Sequence, residues 1–355
     1  MSDTLSQARE LLENQKFQEA LDLLNTVSPI DSVVKTSIAR ALSGLSRWEQ
    51  AGSLFSEVIK QDPNYHEAYA GRGLLYFLSG GFGEAHADYV KALEKDPKNG
   101  RYYGLMGVLL AQVGEAVEAL KAFDAAYKLG CHDTAFILSG AQLHLAMRNP
   151  ELAQAALNLA ERHGAEEGAI AALEGSLSML KGDPKEALAS FRFAVDKAPG
   201  EINNWMNMLT LTAQLERGRL LEEAQRALKA LPDSPEIIQV AVGAYREAGQ
   251  LKEAFRVLRE AIKRNPESPL LHFHLGLGYA YSEKFEKAVE AFTEALKFAP
   301  RFPRALDARG NCYERLGKKD EAQADFEKSH EIRREDAEKQ AVRQQMVAPS
   351  GNGAD

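Results

Sequence analysis

The feature that most restricts this chain is a recurring alanine. Alanines that follow a Glu, Gln or Lys by one or two residues stand at Ala51, Ala85, Ala119, Ala153 and Ala187, each 34 residues after the last, and the interval returns at Ala254, Ala288 and Ala322. Ala187 and Ala254 are 67 residues apart, one short of two periods. Ala224 falls between them three residues out of phase, and Ala20 precedes Ala51 by 31. A fixed period of this length means stacked supersecondary units, none of which can bury its apolar face alone. The usual inference from 355 residues to two compact domains gives way to an array that grows without a single core.

In the clearest unit Tyr69, Gly73, Tyr76, Ala85, Tyr89, Ala92 and Pro97 are separated by 4, 3, 9, 4, 3 and 5 residues. Steps of three and four are helical, so the spacing predicts two helices with a turn at Ser79-Gly80-Gly81 between them. Gly73 and Ala85 are small where the helices cross, Tyr89 is large where they leave room, and Pro97 ends the second helix. Gly114, Gly182, Gly249 and Gly317 mark further turns, and Asn149-Pro150 and Asp183-Pro184 read as capped starts of second helices.

These residues resemble the signature of the tetratricopeptide repeat (TPR) family: aromatic, Gly, Tyr, Ala, aromatic, Ala, Pro. His272, Gly276, Tyr279, Ala288, Phe292, Ala295 and Pro300 keep the spacing, as do Ala171, Gly175, Ser178, Ala187, Phe191, Ala194 and Pro199. In Tyr103, Gly107, Leu110, Ala119, Phe123 and Ala126 the closing proline is replaced by Cys131. The resemblance covers roughly residues 2 to 330 and implies an all-α, right-handed α-solenoid of about ten helix-turn-helix hairpins. The expected organisation is repeats 1–4 over 2–131, repeats 5–6 over 132–199, repeats 7–10 with an irregular seventh over 200–330, a capping helix over 331–347 and a disordered tail over 348–355. Irregular spacing near 164–168 and 216–235 marks candidate hinges.

Several functions find no support. The net charge is -8 with no basic stripe, so nucleic acid is not an expected partner. Cys131 and Cys312 are too few and too distant for a disulfide framework, and no segment reads as a signal peptide or membrane insertion, so the cytoplasm is expected. His272 and His274 lie two apart on a predicted helix and point about 200° from one another, so they cannot share a metal locally. Gly80-Gly81-Phe82-Gly83 follows no strand and is a turn rather than a phosphate loop. We expect no enzyme, no catalytic residues, no metal and no cofactor.

In the TPR family the first helices line a concave groove, and the resemblance implies that a partner lies on first-helix residues outside the signature. Those positions are Leu74, Phe77 and Leu78; Leu105, Val108 and Gln112; Ile137 and His144; and Met179, an apolar half. A polar, mildly basic half follows with Asn203, Met206, Asn207 and Thr210, then Gln239, Arg246, Phe273 and Tyr281, and then Arg304, Asn311 and Arg315. Some TPR co-chaperones hold a heat-shock C-terminus with Lys, Asn, Asn, Lys and Arg. The matching positions here, Thr36, Arg40, Gly71, Leu74, Arg101 and Leu105, keep two basic residues and no asparagine, which disfavours that docking. The expected function is a non-enzymatic scaffold or adaptor for an extended peptide or amphipathic helix of a partner protein. The alternatives are a self-assembling homo-oligomeric scaffold and a regulatory subunit of an enzyme complex.

Overall fold

The computed structural model describes residues 2–347, so the tail expected at 348–355 lies outside the described residues. Among these residues every regular element is helical: twenty α-helices in chain order and one short 3-10 turn. In chain order they make ten helix-turn-helix pairs. The first five are α1 (Ser2–Glu13) with α2 (Phe17–Leu24), α3 (Ser32–Gly44) with α4 (Trp48–Gln61), α5 (His66–Leu78) with α6 (Phe82–Lys95), α7 (Gly100–Gln112) with α8 (Ala116–Lys128), and α9 (Thr134–Ala146) with α10 (Pro150–Arg162). The last five are α11 (Glu167–Lys181) with α12 (Pro184–Lys197), α13 (Ile202–Leu215) with α14 (Leu220–Ala230), α15 (Pro235–Glu247) with α16 (Leu251–Arg264), α17 (Pro269–Tyr281) with α18 (Phe285–Phe298), and α19 (Pro303–Arg315) with α20 (Lys319–Val347). The capping helix expected over 331–347 is the continuation of α20.

The chain divides into two compact units, up to Ala187 and from Leu188, with the division inside α12. Within the first unit each first helix packs on the next, α1 on α3, α3 on α5, α5 on α7, α7 on α9 and α9 on α11. Within the second unit α13, α15, α17 and α19 do the same. Each unit therefore has a continuous layer of first helices, on which the second helices lie.

The alanines that revealed the period are the residues at which helices touch. Ala20, Ala51, Ala85, Ala119, Ala153, Ala187, Ala224 and Ala288 are 0% exposed, and Ala254 and Ala322 are 5% and 2% exposed. Opposite them a glycine of the first helix meets the ring that stands sixteen residues on. A Cβ on Gly73 would lie 2.8 Å from the Tyr89 ring, on Gly107 2.6 Å from Phe123, on Gly276 2.6 Å from Phe292 and on Gly310 2.7 Å from Phe326. Nothing larger than hydrogen fits there without displacing a packed ring.

One turn closes nine of the ten hairpins. The residue five before the marker alanine is left-handed, and the next N–H donates to the carbonyl five residues back, as from Gly81 to Tyr76 (2.8 Å) and from Asp183 to Ser178 (2.9 Å). This is the helix-ending arrangement that glycine favours, because a Cβ is disfavoured at positive φ. Gly80, Gly114, Gly182, Gly249 and Gly317 occupy it, but Gln15, Ser46, Arg148 and Glu283 hold the same conformation with φ of 56° to 59°. Left-handed backbone costs a non-glycine residue about 1–2 kcal/mol, partly offset by the greater entropy glycine loses on folding. Glu283→Gly is therefore expected to stabilise the chain by about 0.5–1 kcal/mol. A raised midpoint in urea at unchanged slope would show it, and a lowered one would refute it.

The seventh hairpin departs as its spacing indicates: a 3-10 turn, Arg217–Arg219, replaces the tight turn. Arg192 anchors it with two hydrogen bonds to Glu216 (3.1 and 2.6 Å) and one to buried Glu223 (3.2 Å). The 163–166 link closes on itself, with left-handed Gly164 and the Ala165 N–H on the Ala160 carbonyl at 3.0 Å. Asp183 caps α12 by accepting from the N–H groups of Lys185 and Glu186, whereas the Asn149 side chain makes no cap bond to α10.

Two buried ion pairs repeat one design. Arg72 donates twice to Asp88 (2.8 and 2.8 Å) and once to Ser56, and Arg309 donates twice to Asp325 (2.7 and 2.7 Å) and once to Thr293. Each guanidinium also lies over a tyrosine ring, Tyr76 and Tyr313. Both bind the first helix to the second across their crossing, in the third and tenth hairpins.

Candidate interaction surface

The first-helix layer presents most of the residues expected on it. Leu78, Gln112, Met179, Asn203, Asn207, Thr210, Arg246, Tyr281 and Asn311 are exposed. Leu74, Phe77, Leu105, Val108 and Met206 are half-buried, so they finish the packing between hairpins as well as edging the surface. Phe77 in particular leans on Phe82, with ring centroids 5.9 Å apart.

Three expected residues are placed elsewhere. Phe273 is buried in the core of the last hairpins, against Phe292 and Phe302 and beneath Arg304. Ile137 and His144 stand 34 residues after Tyr103 and Leu110, which are signature positions, and so they turn toward the second helices. There they line an apolar groove of about 470 Å³ between α8 and α10, with Phe123, Tyr127 and Leu159. His144 Nδ1 is buried there without a partner, and burial lowers its pKa.

The two helix sets differ in how their exposed faces are finished. Same-helix ion pairs run along or at the start of the second helices: Lys91–Glu94 on α6, Lys121–Glu118 and Lys128–Asp124 on α8, Arg256–Glu253 and Lys263–Glu260 on α16, and Lys297–Glu294 on α18. The same-helix amide bonds of Gln61 to Glu57, Gln154 to Asn158 and Gln323 to Glu327 also lie on second helices. Among the described residues no such ion pair lies on a first helix, where Leu78, Met179 and Tyr281 are exposed; exposed apolar side chains also occur on second helices, at Trp48, Val117, Leu152 and Phe193.

Sequence spacing missed two groupings that need the third dimension. His132 and His163, on successive hairpin links, stack with ring centroids 4.5 Å apart, and Tyr127 lies against both. In the second unit Gln239, Arg246, His274 and Arg304, from α15, α17 and α19, share the lining of one recess. His274 is buried, and its burial, with the nearby Arg304 charge, pushes its pKa down to about 4. Among the described residues no group of three or more His, Cys, Asp or Glu could hold a metal ion, and no helix is long and apolar enough to cross a membrane.

Models of the tetratricopeptide repeat match residues 79–131, 138–202, 235–278, 269–302 and 303–336, together more than half of the chain. The chain belongs to the tetratricopeptide repeat family. It is 23% identical to the Superkiller complex protein 3 of Mus musculus over 87% of its own length and 20% of that protein's. It is 24% identical to the DnaJ homolog subfamily C member 7 of Homo sapiens over 74% of its length and 49% of that protein's. The chain thus spans about half, or a fifth, of the curated relatives it matches. PilF of Pseudomonas aeruginosa shares the fold at 15% identity and a TM-score of 0.51, over 60% of this chain and 96% of that one.

Proposed function

We propose that the chain is a non-enzymatic scaffold whose first-helix layer binds a segment of a partner protein. The observation that carries this is the layer of first helices itself: the same-helix ion pairs lie on second helices, while the first helices carry none among the described residues and leave Leu78, Met179 and Tyr281 exposed. Exposed aromatic, methionine and leucine side chains on a rigid layer gain most from being covered by a partner. Side-by-side helices also offer a trough in which an extended peptide or a single helix can lie. Membership of the repeat family supports the reading, as does a relative that is named for a complex. Unpaired Cys131 and Cys312 suit a reducing compartment, so we place the protein in the cytoplasm.

Leu78 and Met179 are exposed, so charging them leaves the core intact. Leu78→Glu with Met179→Glu is expected to lower capture of partners from native extract by roughly tenfold or more, with helicity by circular dichroism unchanged. Undiminished capture by the double variant would remove these residues from the partner surface.

A further inference from the structure

The second unit holds a recess of about 180 Å³ walled by α15, α16 and α17, and its lining joins two arginines from different hairpins, Arg246 on α15 and Arg304 on α19. The chain has 51 acidic residues against 43 Lys and Arg, and its other buried or bridging arginines, Arg72, Arg192, Arg301 and Arg309, are bound to carboxylates. Arg246 and Arg304 have no carboxylate partner among the described residues. Each lies on an aromatic face instead, Arg246 with its guanidinium carbon 5.0 Å from the Tyr281 ring centre and Arg304 5.3 Å from that of Phe273. A guanidinium stacked in this way is held in place while its N–H edge stays open to a planar anion. His274, 7% exposed, lines the same recess, and its Nε2 is buried with no hydrogen-bond partner. Two unpaired cations beside an unpartnered polar group, with apolar Val242, Leu258 and Leu277 around them, describe a site for a carboxylate carried on a short aliphatic stem.

We infer that this recess takes the side-chain carboxylate of a Glu or Asp in an extended peptide, held by Arg246 and Arg304 with the Gln239 amide and His274 beside them. A peptide rather than a free small acid is indicated by the same layer of helices. Asn203, Asn207 and Asn311 are exposed, with no side-chain hydrogen bond among the described residues, and their amides can pair with an extended backbone. The inference rests on the partner-binding reading above and gives that surface its chemistry.

The test is selection of a displayed library of random peptides on the full-length chain. Selected sequences are expected to fix an acidic residue at one position. The best of them, synthesised with an amidated C-terminus, should bind roughly tenfold more weakly to Arg246→Gln and to Arg304→Gln, and to wild type when its acid is replaced by the amide. It should also shift the His274 ring resonances, which a peptide bound elsewhere would leave alone. Selected peptides without a fixed acid, equal binding to the arginine variants, or binding that needs a free C-terminus would each overturn the acidic-side-chain site while leaving the scaffold reading standing. A library that yields no binder at all would count against both.

Discussion

Gly276→Leu is expected to destabilise the second unit by about 3 kcal/mol, and Gly276→Ala by about 1–2 kcal/mol, because overpacking a filled crossing forces rings or helices apart. Even the alanine methyl would sit 2.6 Å from the Phe292 ring. That ring is 0% exposed and packs on Phe273, with centroids 5.7 Å apart, so it has little free space to move into. Urea unfolding followed by circular dichroism measures the loss, and combining Gly276→Ala with Phe292→Leu should recover part of it by returning volume to the crossing. Gly83→Ala is the control: nothing lies within 4 Å of its Cβ position in α6, so the better helix former should be neutral or stabilising. Equal effects of Gly276→Ala and Gly83→Ala would mean that the crossing is not closely packed.

Arg309→Met should cost about 3 kcal/mol, the lower end of the range for breaking a buried pair, since about a fifth of the Arg309 side chain reaches water. The loss comes less from the missing attraction than from what is left behind. Asp325 is 6% exposed and would lose both hydrogen bonds that balance its desolvation. Replacing both partners, Arg309→Met with Asp325→Leu, should restore most of the stability, because no orphaned charge then remains. Hydrogen exchange should show the last hairpin opening first in the single variant, since each repeat leans only on its neighbours. A single variant as stable as the double would show that solvent already satisfies the pair.

The fold was legible in the sequence because close helix crossings admit few side chains. Alanine and glycine recur where anything larger would collide, and the left-handed turn residue stands five positions before the marker alanine in nine of the ten hairpins, four times without being glycine. The first-helix surface was legible only as far as the register was right. In the fifth hairpin Ile137, Ala141 and His144 replace the signature aromatic, glycine and tyrosine, so the residues there no longer mark themselves as signature positions although the 34-residue count sets Ile137 and His144 against the second helices. Phe273 sits at a position that Gln239 occupies one hairpin earlier, in the open, and is buried where Phe292 of its own hairpin and Phe302 and Arg304 of the next enclose it. The Arg309–Asp325 pair, the stacked histidines and the recess at His274 each depend on helices meeting in space, which no spacing within one helix reports.

The shared turn has a further consequence. Gly80 and Gly114 hold the same left-handed backbone, one period apart, and the chain leaves both through the same hydrogen bond, to the Tyr76 and Leu110 carbonyls respectively. A chain from which residues 81–114 were excised would rejoin at an identical junction, with a small residue still facing each ring. Such a molecule can lose or gain one whole module without inventing a new seam, so the length of its binding face is the property most easily altered over descent.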